Sequence, residues 1–342
     1  SIFKCGMAVT TYQSISNPLH KVLSVRDVRN HCPQPQLSNW LAPEITFPDW
    51  DVAHLGEIFG IAYDKFNNIY VCATSAYANA WPTNLPYGPA GSGGIYKISS
   101  FDGSVSNFVT TATCCGSTIG TSTIPNVLAG LGNICYDQSN NQFFVTNLED
   151  GKIYRIDATS GVVIDTYDPF SVDNGIPGIS CEGERIWGIG IYGSKLYFSQ
   201  CNQSGTVSVG PNKIYSLSLG SGGTFPPSGS EISEITLPPI STTYPYSNPV
   251  SDIEFGANGR MILAEHSERG LPCQPVVIAH ASRALEYVGA PGPLSPSANQ
   301  FSIGVANYNN SAGGADYGYK CFDPLTQGIG KCDEMLWVSG DA

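Results

Sequence analysis

Short apolar runs cut by turn-forming residues recur along the chain, and they align with one another when set on their turns. Residues 60–72 read GIAYDKFNNIYVC and residues 133–146 read NICYDQSNNQFFVT. Each is a strand, an Asn-Asn turn and a second strand, the pattern a β-hairpin requires. The unit returns as GIGIYGSKLYFS at 188–199 and DIEFGANGRMILA at 252–264, and a degenerate copy starts with GVANY at Gly304 and resumes with MLWVSGD at 335–341. A third strand of common wording follows the first four hairpins: GIYKI at 94–98, KIYRI at 152–156, KIYSL at 213–217 and RALEY at 283–287. A fourth follows in FDGSVSNFV at 101–109 and ATSGVVIDTY at 158–167. Three or four antiparallel strands per repeat make a propeller blade.

The expected fold is therefore all-β: a single β-propeller domain over residues 1–342, of five or six blades, with repeats starting near 60, 133, 188, 252 and 304. KVLSV at 21–25 matches the third-strand wording while the last repeat stops after its second strand, so the N- and C-terminal strands are expected to share a blade and close the ring. Closure removes the exposed sheet edges that invite aggregation. Residues 5–13 (CGMAVTTYQ) belong to that blade or to a sixth, and the Pro/Trp-rich stretch 30–54 reads as a segment wrapping over the body. An array of β-sandwiches is the structural alternative, and the hairpin-then-third-strand order argues against it.

Composition agrees: 38 Gly and 24 Pro against 3 Met in 342 residues favour turns and strands over helices. A formal charge of −12 argues against nucleic acid or an anionic membrane surface as partner. No apolar stretch approaches the roughly 18 residues of a membrane span, so no membrane insertion is expected. Residues 1–10 also lack a signal-peptide core, so a secreted chain would already have lost its signal. The eleven cysteines show no paired metal-ligand spacing and read as disulfide candidates of an oxidising compartment: Cys5, Cys32, Cys72, Cys135, Cys181, Cys201, Cys273, Cys321 and Cys332. Cys114 and Cys115, adjacent in a Gly/Ser/Thr-rich loop, are candidates for a bond between chains, and a buried free thiol is the alternative for the odd one. Asn202 and Asn309 head N-x-S sequons and are candidate glycosylation sites.

Chemistry is sparser. The first strands of a propeller line its channel, and the equivalent entry positions are Gly60, Asn133, Gly188, Asp252 and Gly304. Glycines let the backbones converge, while Asn133 and Asp252 are the polar exceptions. The ends of the second strands align as Ala73, Asn147, Gln200, Glu265 and Ser339. Oxygen ligands on converging strands suit a hard cation, which makes Glu57, Asn133, Asp252, Asn147 and Glu265 a candidate Ca²⁺ set. Simple hydration of a water-filled channel is the alternative. His266 and His280, near Glu265 and Glu268, are a second candidate metal or acid–base group, against ordinary loop hydrogen bonding. Nucleophile-elbow, zincin and phosphate-loop motifs are absent. Tyr87, Tyr244 and Tyr246, in Pro-rich loops, are candidates for exposed protein or glycan contacts, whereas the strand tyrosines read as packing between blades.

GLGNICYDQSNNQFFVTNLEDGKIYRID, ERIWGIGIYGSKLYFS, YSNPVSDIEFGANGRMILAE and the final LWVSGDA resemble the propeller modules of large secreted microbial surface proteins, over most of residues 55–342. More loosely the hairpins are similar to NHL and SMP-30-like propellers. The first resemblance implies an extracellular structural or adhesive module, part of a cell-surface or filamentous assembly, whose partners are other protein chains and glycans. The second implies a Ca²⁺-dependent hydrolase or lactonase using the channel, with Glu57, Asn133 and Asp252 the matching residue types. A glycan-binding propeller is a third reading, though loop aromatics do not repeat at equivalent positions.

Overall fold

The computed structural model describes residues 1–4, 6–12, 19–29, 41–74, 87–112, 118–170, 180–204, 207–266, 281–299, 301, 303, 311–318, 322–323, 328–329 and 335–340. The fold is a β-propeller of five antiparallel blades. The N-terminal blade is β1 (Met7–Thr11), β2 (Leu23–Asp27) and β3 (Glu44–Ile45), followed by the short helix α1 (Val52–Leu55). The next is β4 (Ile58–Tyr63), β5 (Ile69–Ala73), β6 (Ile95–Ile98) and β7 (Val105–Ala112), extended by β8 (Thr123–Pro125), which pairs parallel to β7. Then come β9 (Leu131–Asp137), β10 (Gln142–Asn147), β11 (Ile153–Asp157) and β12 (Val163–Tyr167). The fourth blade holds β13 (Ile186–Tyr192) and β14 (Lys195–Gln200), a side hairpin of β15 (Gln203–Ser204) and β16 (Val207–Ser208), then β17 (Lys213–Ser218) and β18 (Ile232–Thr236). The fifth is β19 (Val250–Phe255), β20 (Arg260–Glu265), β21 (Ala284–Val288) and β22 (Ser295–Pro296). Beyond it β23 (Ser311–Gly318) pairs with β26 (Met335–Gly340), and β24 (Phe322–Asp323) with β25 (Gly328–Ile329).

The hairpin turns form for the reason their sequence suggests. In YDKFNN the Asp64 carboxylate accepts from the backbone N–H of Phe66 (2.8 Å) and of Asn68 (2.9 Å). In YDQSNN, Asp137 does the same for Ser139 (3.0 Å) and Asn140 (3.2 Å). Asn67, Asn141 and Asn258 hold the left-handed conformation that these turns need and that Asn tolerates.

The N-terminal strand β1 and the C-terminal strands β23 and β26 all line one central cavity, and they pair within separate sheets. KVLSV, matched by wording to a third strand, lies between β1 and β3, because residues 7–11 supply an edge for it to pair with. The first strand of the last repeat is 311–318, later than the GVANY motif, whose residues 304–310 lie outside the described residues. So do residues 30–40 of the expected wrapping segment.

Cores form between blades. Tyr70 of one blade packs its ring on Phe143 of the next, 4.4 Å between centroids, and Tyr197 packs on Phe255 of its neighbour at 5.0 Å. Cys72 and Cys135, read as disulfide candidates, are instead buried thiols in these cores. Burial pushes both well above an ordinary thiol, so neither is a nucleophile or a ready oxidation target. Cys201 is buried with Phe59 and Trp187 at the mouth of the channel, Cys181 is half-buried, and the other seven cysteines lie outside the described residues.

At that mouth the inner strands nearly touch. A Cβ on Gly60 would stand 2.9 Å from the Asn133 Cα, and one on Gly188 would stand 3.1 Å from the Asp252 nitrogen. Hydroxyls from second strands tie these backbones together. Thr146 Oγ1 accepts from the Asn133 N–H (2.9 Å) and donates to the Trp187 carbonyl of the next blade (2.6 Å). Ser199 Oγ accepts from the Gly188 N–H (2.9 Å) and donates to the Val250 carbonyl of the blade after that (2.7 Å). In the fifth blade the equivalent second-strand residue is Ala264, and a first-strand hydroxyl acts in its place, Ser251 Oγ of β19 donating to the Gly313 carbonyl at 2.9 Å. Removing such a hydroxyl strands a buried carbonyl and a buried N–H, a loss of roughly 1–3 kcal/mol. Thr146→Val and Ser199→Ala are therefore each expected to lower the unfolding free energy by about that amount in urea titrations, with the slope unchanged. The control, Thr159→Val at an exposed turn, is expected to change little.

Candidate functional site

Alternation along the inner strands decides what faces the axis, because side chains two apart share a face. β4 presents Phe59, Ile61 and Tyr63, β9 presents Asn133 and Cys135, and β19 presents Asp252 and Glu254. β13 presents only Gly190 at the matching depth, and β23 presents Gly314 and Asp316. The result is a central cavity of about 1230 Å³, bounded on the N-terminal side by β1. It reaches out to Asn67 and Gln138 in the hairpin turns, so it opens on the face that carries them.

The opposite mouth is stopped by rings. Phe59 lies 5.4 Å from Trp187 and 6.1 Å edge-on from His266, and Trp187 lies 5.3 Å from His266, all between centroids. Phe59, Trp187, Ala129, Leu148 and Cys201 form one buried cluster where the inner strands converge. The channel is thus a well with an aromatic floor.

Of the sequence-derived candidates, Asn133 and Asp252 come together: Asn133 Nδ2 donates to Asp252 Oδ1 at 2.7 Å and to the Ser251 carbonyl at 3.1 Å. Asp252 Oδ2 accepts from the Ala315 N–H at 2.9 Å, which joins β19 to β23. The other three sit apart from this pair. Asn147 is buried in a loop contact, accepting from Asn126 Nδ2 (2.7 Å) and donating to the Pro125 carbonyl (3.0 Å). Glu265 is fully buried in an ion pair with Arg283 (2.6 Å), whose guanidinium also donates to the Pro238 and Pro239 carbonyls. Glu57 is buried just before β4. Among the described residues no three His, Cys, Asp or Glu side chains stand close enough to share a metal ion. His266 contributes a ring to the floor, while His280 and Glu268 lie outside the described residues.

Two surface expectations change. Tyr87 is buried, with its hydroxyl donating to the Leu128 carbonyl and its own carbonyl accepting from Tyr96. Asn202 is buried too, and its Nδ2 donates to Gln200 Oε1 (2.8 Å) and the Pro211 carbonyl (2.9 Å). The nitrogen that a glycan would need is turned inward. Asn309 lies outside the described residues. Tyr244 and Tyr246 remain half-buried in their loop with rings 6.0 Å apart.

The chemistry that sequence reasoning passed over is Glu254 and Asp316. Glu254 sits two residues beyond Asp252 on the same face, a signal the period of two carries. Burial, reinforced by Asp316 and Asp252, holds the Glu254 carboxyl well above its ordinary range. Burial also raises Asp252 to about 6, against hydrogen bonds from Ala315 and Asn133 that favour its charged form. Tyr63, facing Asp316 and Glu254, is pushed up by burial and then by Asp316. Neither Asp252 nor Glu254 has an ion-pair partner among the described residues.

No protein-family model matches the chain, and no curated protein does. Solved structures match at the level of architecture. A chain of a nidogen/laminin complex is 14% identical, with 82% of this chain and 73% of that one covered and a TM-score of 0.43. A gluconolactonase from Xanthomonas campestris is 10% identical over 84% and 71%, with a TM-score of 0.44. A GH43_12 protein retrieved from capybara gut metagenome is 12% identical over 78% and 46%, with a TM-score of 0.42. Likeness at this level carries no functional conclusion.

The raised carboxyls fix a sign for pH dependence. A carboxyl that binds its proton more tightly folded than unfolded stabilises the fold fully below the ordinary carboxylate range, and that stabilisation is lost as pH rises through the folded value. For Asp252 the loss is complete above about 6, and Glu254 extends it upward. Carboxyls held low, such as Asp27 by its hydrogen bond from Arg29, act the other way, so the informative quantity is a variant-minus-parent difference. Glu254→Gln is expected to raise the melting temperature relative to the parent at pH 8. That gain should shrink steadily to nothing near pH 4, as read by calorimetry across the range.

Proposed function

We propose that the chain is an extracellular structural or adhesive propeller, a module or subunit of a surface or filamentous assembly that meets other protein chains or glycans through its loops and faces. The observation that carries this reading is how the polar groups near the converging strands are used. Asn133, Asp252, Asn147 and Glu265 form hydrogen bonds or ion pairs inside the protein, and these bonds hold blades and loops together. A ring stiffened in this way is a platform for loops. Localisation outside the cell rests on the acidic, cysteine-bearing composition. The half-buried Tyr244 and Tyr246 pair is the loop feature best suited to contact.

One observation favours a second reading: carboxyls with raised pKa in a cleft are the equipment of acid–base chemistry. Hydrolysis of a lactone or ester by a Ca²⁺-dependent site in the channel is that alternative, and one experiment separates the two. For a scaffold, EDTA leaves the melting temperature unchanged and no lactone or ester panel is turned over. A melting temperature that falls in EDTA and returns with Ca²⁺, together with turnover abolished by Asp252→Ala, would overturn the scaffold reading.

A further inference from the structure

We propose that the aromatic floor of the well is hinged at Phe59, whose ring swings into the well and uncovers the indole of Trp187. A contrast between two tryptophans points to it. Trp50 and Trp187 are both fully buried. Trp50 Nε1 donates to the Gly103 carbonyl at 2.8 Å, whereas Trp187 Nε1 has no hydrogen-bond partner among the described residues. The Trp187 indole lies 5.4 Å from the Phe59 ring and 5.3 Å from the His266 ring, between centroids. Those contacts pack the indole but give its N–H nothing to bind. A buried donor left unmade shifts the balance by roughly tenfold to a hundredfold towards a state in which water reaches it.

Position decides which ring must move. Phe59 lines the well and Trp187 does not, so Phe59 stands between the indole and the open space. At about 1230 Å³ that space has room for one ring to turn into it.

The backbone under Phe59 is what lets it turn. At the narrow mouth β4 slips register against β5 between Ile58 and Ile61, and β13 slips against β14 between Ile186 and Ile189. The β9–β10 pair slips opposite Thr146. Such bulges leave backbone groups off the ladder. Two of the three are pinned by a hydroxyl from the second strand. Thr146 Oγ1 accepts from the Asn133 N–H, and Ser199 Oγ accepts from the N–H groups of Gly188 (2.9 Å) and Trp187 (3.3 Å). Opposite the β4 bulge stands Cys72, a buried thiol, and sulfur is a weak acceptor. Phe59 therefore rides on the least restrained of the three.

Opening changes what the bottom of the well offers. Closed, it ends in a hydrocarbon ring. Open, it ends in an indole face and an N–H donor, suited to a group that carries a hydrogen-bond acceptor. The scaffold reading does not require this movement and is not altered by it.

The test is hydrogen exchange of the indole N–H groups, followed by NMR on the full chain labelled with nitrogen-15 tryptophan, with signals assigned through Trp50→Phe and Trp187→Phe. The Trp187 N–H is expected to exchange at least about tenfold faster than that of Trp50. Its rate should not respond to dilute urea, because a turning ring exposes little surface. Cys72→Ser, which sets a hydroxyl opposite the β4 bulge, is expected to slow exchange at Trp187 by about fivefold to tenfold and leave Trp50 unchanged. Phe59→Ala is expected to speed exchange at Trp187 alone. Exchange at Trp187 as slow as at Trp50, or with the same steep urea dependence, would overturn the proposal. So would a folded Cys72→Ser variant in which Trp187 exchanges as in the parent, or a Phe59→Ala variant that leaves Trp187 unchanged or speeds both indoles equally. Should either variant fail to fold, the two indoles of the parent still decide the matter.

Discussion

Backbone-to-backbone contact between inner strands is the constraint on which the rest of this propeller depends. Where Gly60 meets Asn133 and Gly188 meets Asp252 there is no space for a side chain, so adjacent blades present bare peptide groups to each other. Those groups are buried and need partners. Thr146, Ser199 and Ser251 supply them, each with one hydroxyl placed to reach across a blade boundary. Cys72 stands at the corresponding position of the preceding blade, where a thiol takes the place of the hydroxyl.

Tight convergence at one mouth dictates the form of the other. Blades that touch at one end and fan outward leave a space that widens along the axis, and the rings of Phe59, Trp187 and His266 fill its narrow part. What remains is walled by whatever alternate residues the inner strands carry. Two of those walls are glycine at Gly190 and Gly314, which makes the room, and two carry carboxyls. The charge of the well is thus a local property of β19 and β23. The chain's overall acidity does not produce it.

Local features of the fold could be read from sequence because their causes are local. An Asp that accepts two backbone N–H groups and an Asn in the left-handed region define a turn within six residues, and every hairpin resting on that wording was found. Features that depend on distant partners could not be read. Glu265 looked like a free oxygen ligand because Arg283 lies eighteen residues on. Tyr87 looked exposed because Leu128, its acceptor, is forty-one residues away. The Asn202 sequon is sound as a triplet, but Pro211 and Gln200 claim its amide. Glu254 is the reverse case. Its position two residues past Asp252 was enough to place it in the channel, and attention to entry positions alone passed it by.

The aromatic floor has a consequence for traffic. A propeller channel open at both ends can be flushed by water, and a solute can enter at one side and depart at the other. With Phe59, Trp187 and His266 closing one mouth among the described residues, a molecule that enters past the hairpin turns around Asn67 and Gln138 leaves past them as well. Residence time is then governed by that one rim. Changes to the turns, which contribute little to the cores between blades, would alter how fast the well fills and empties while leaving its depth and charge as they are.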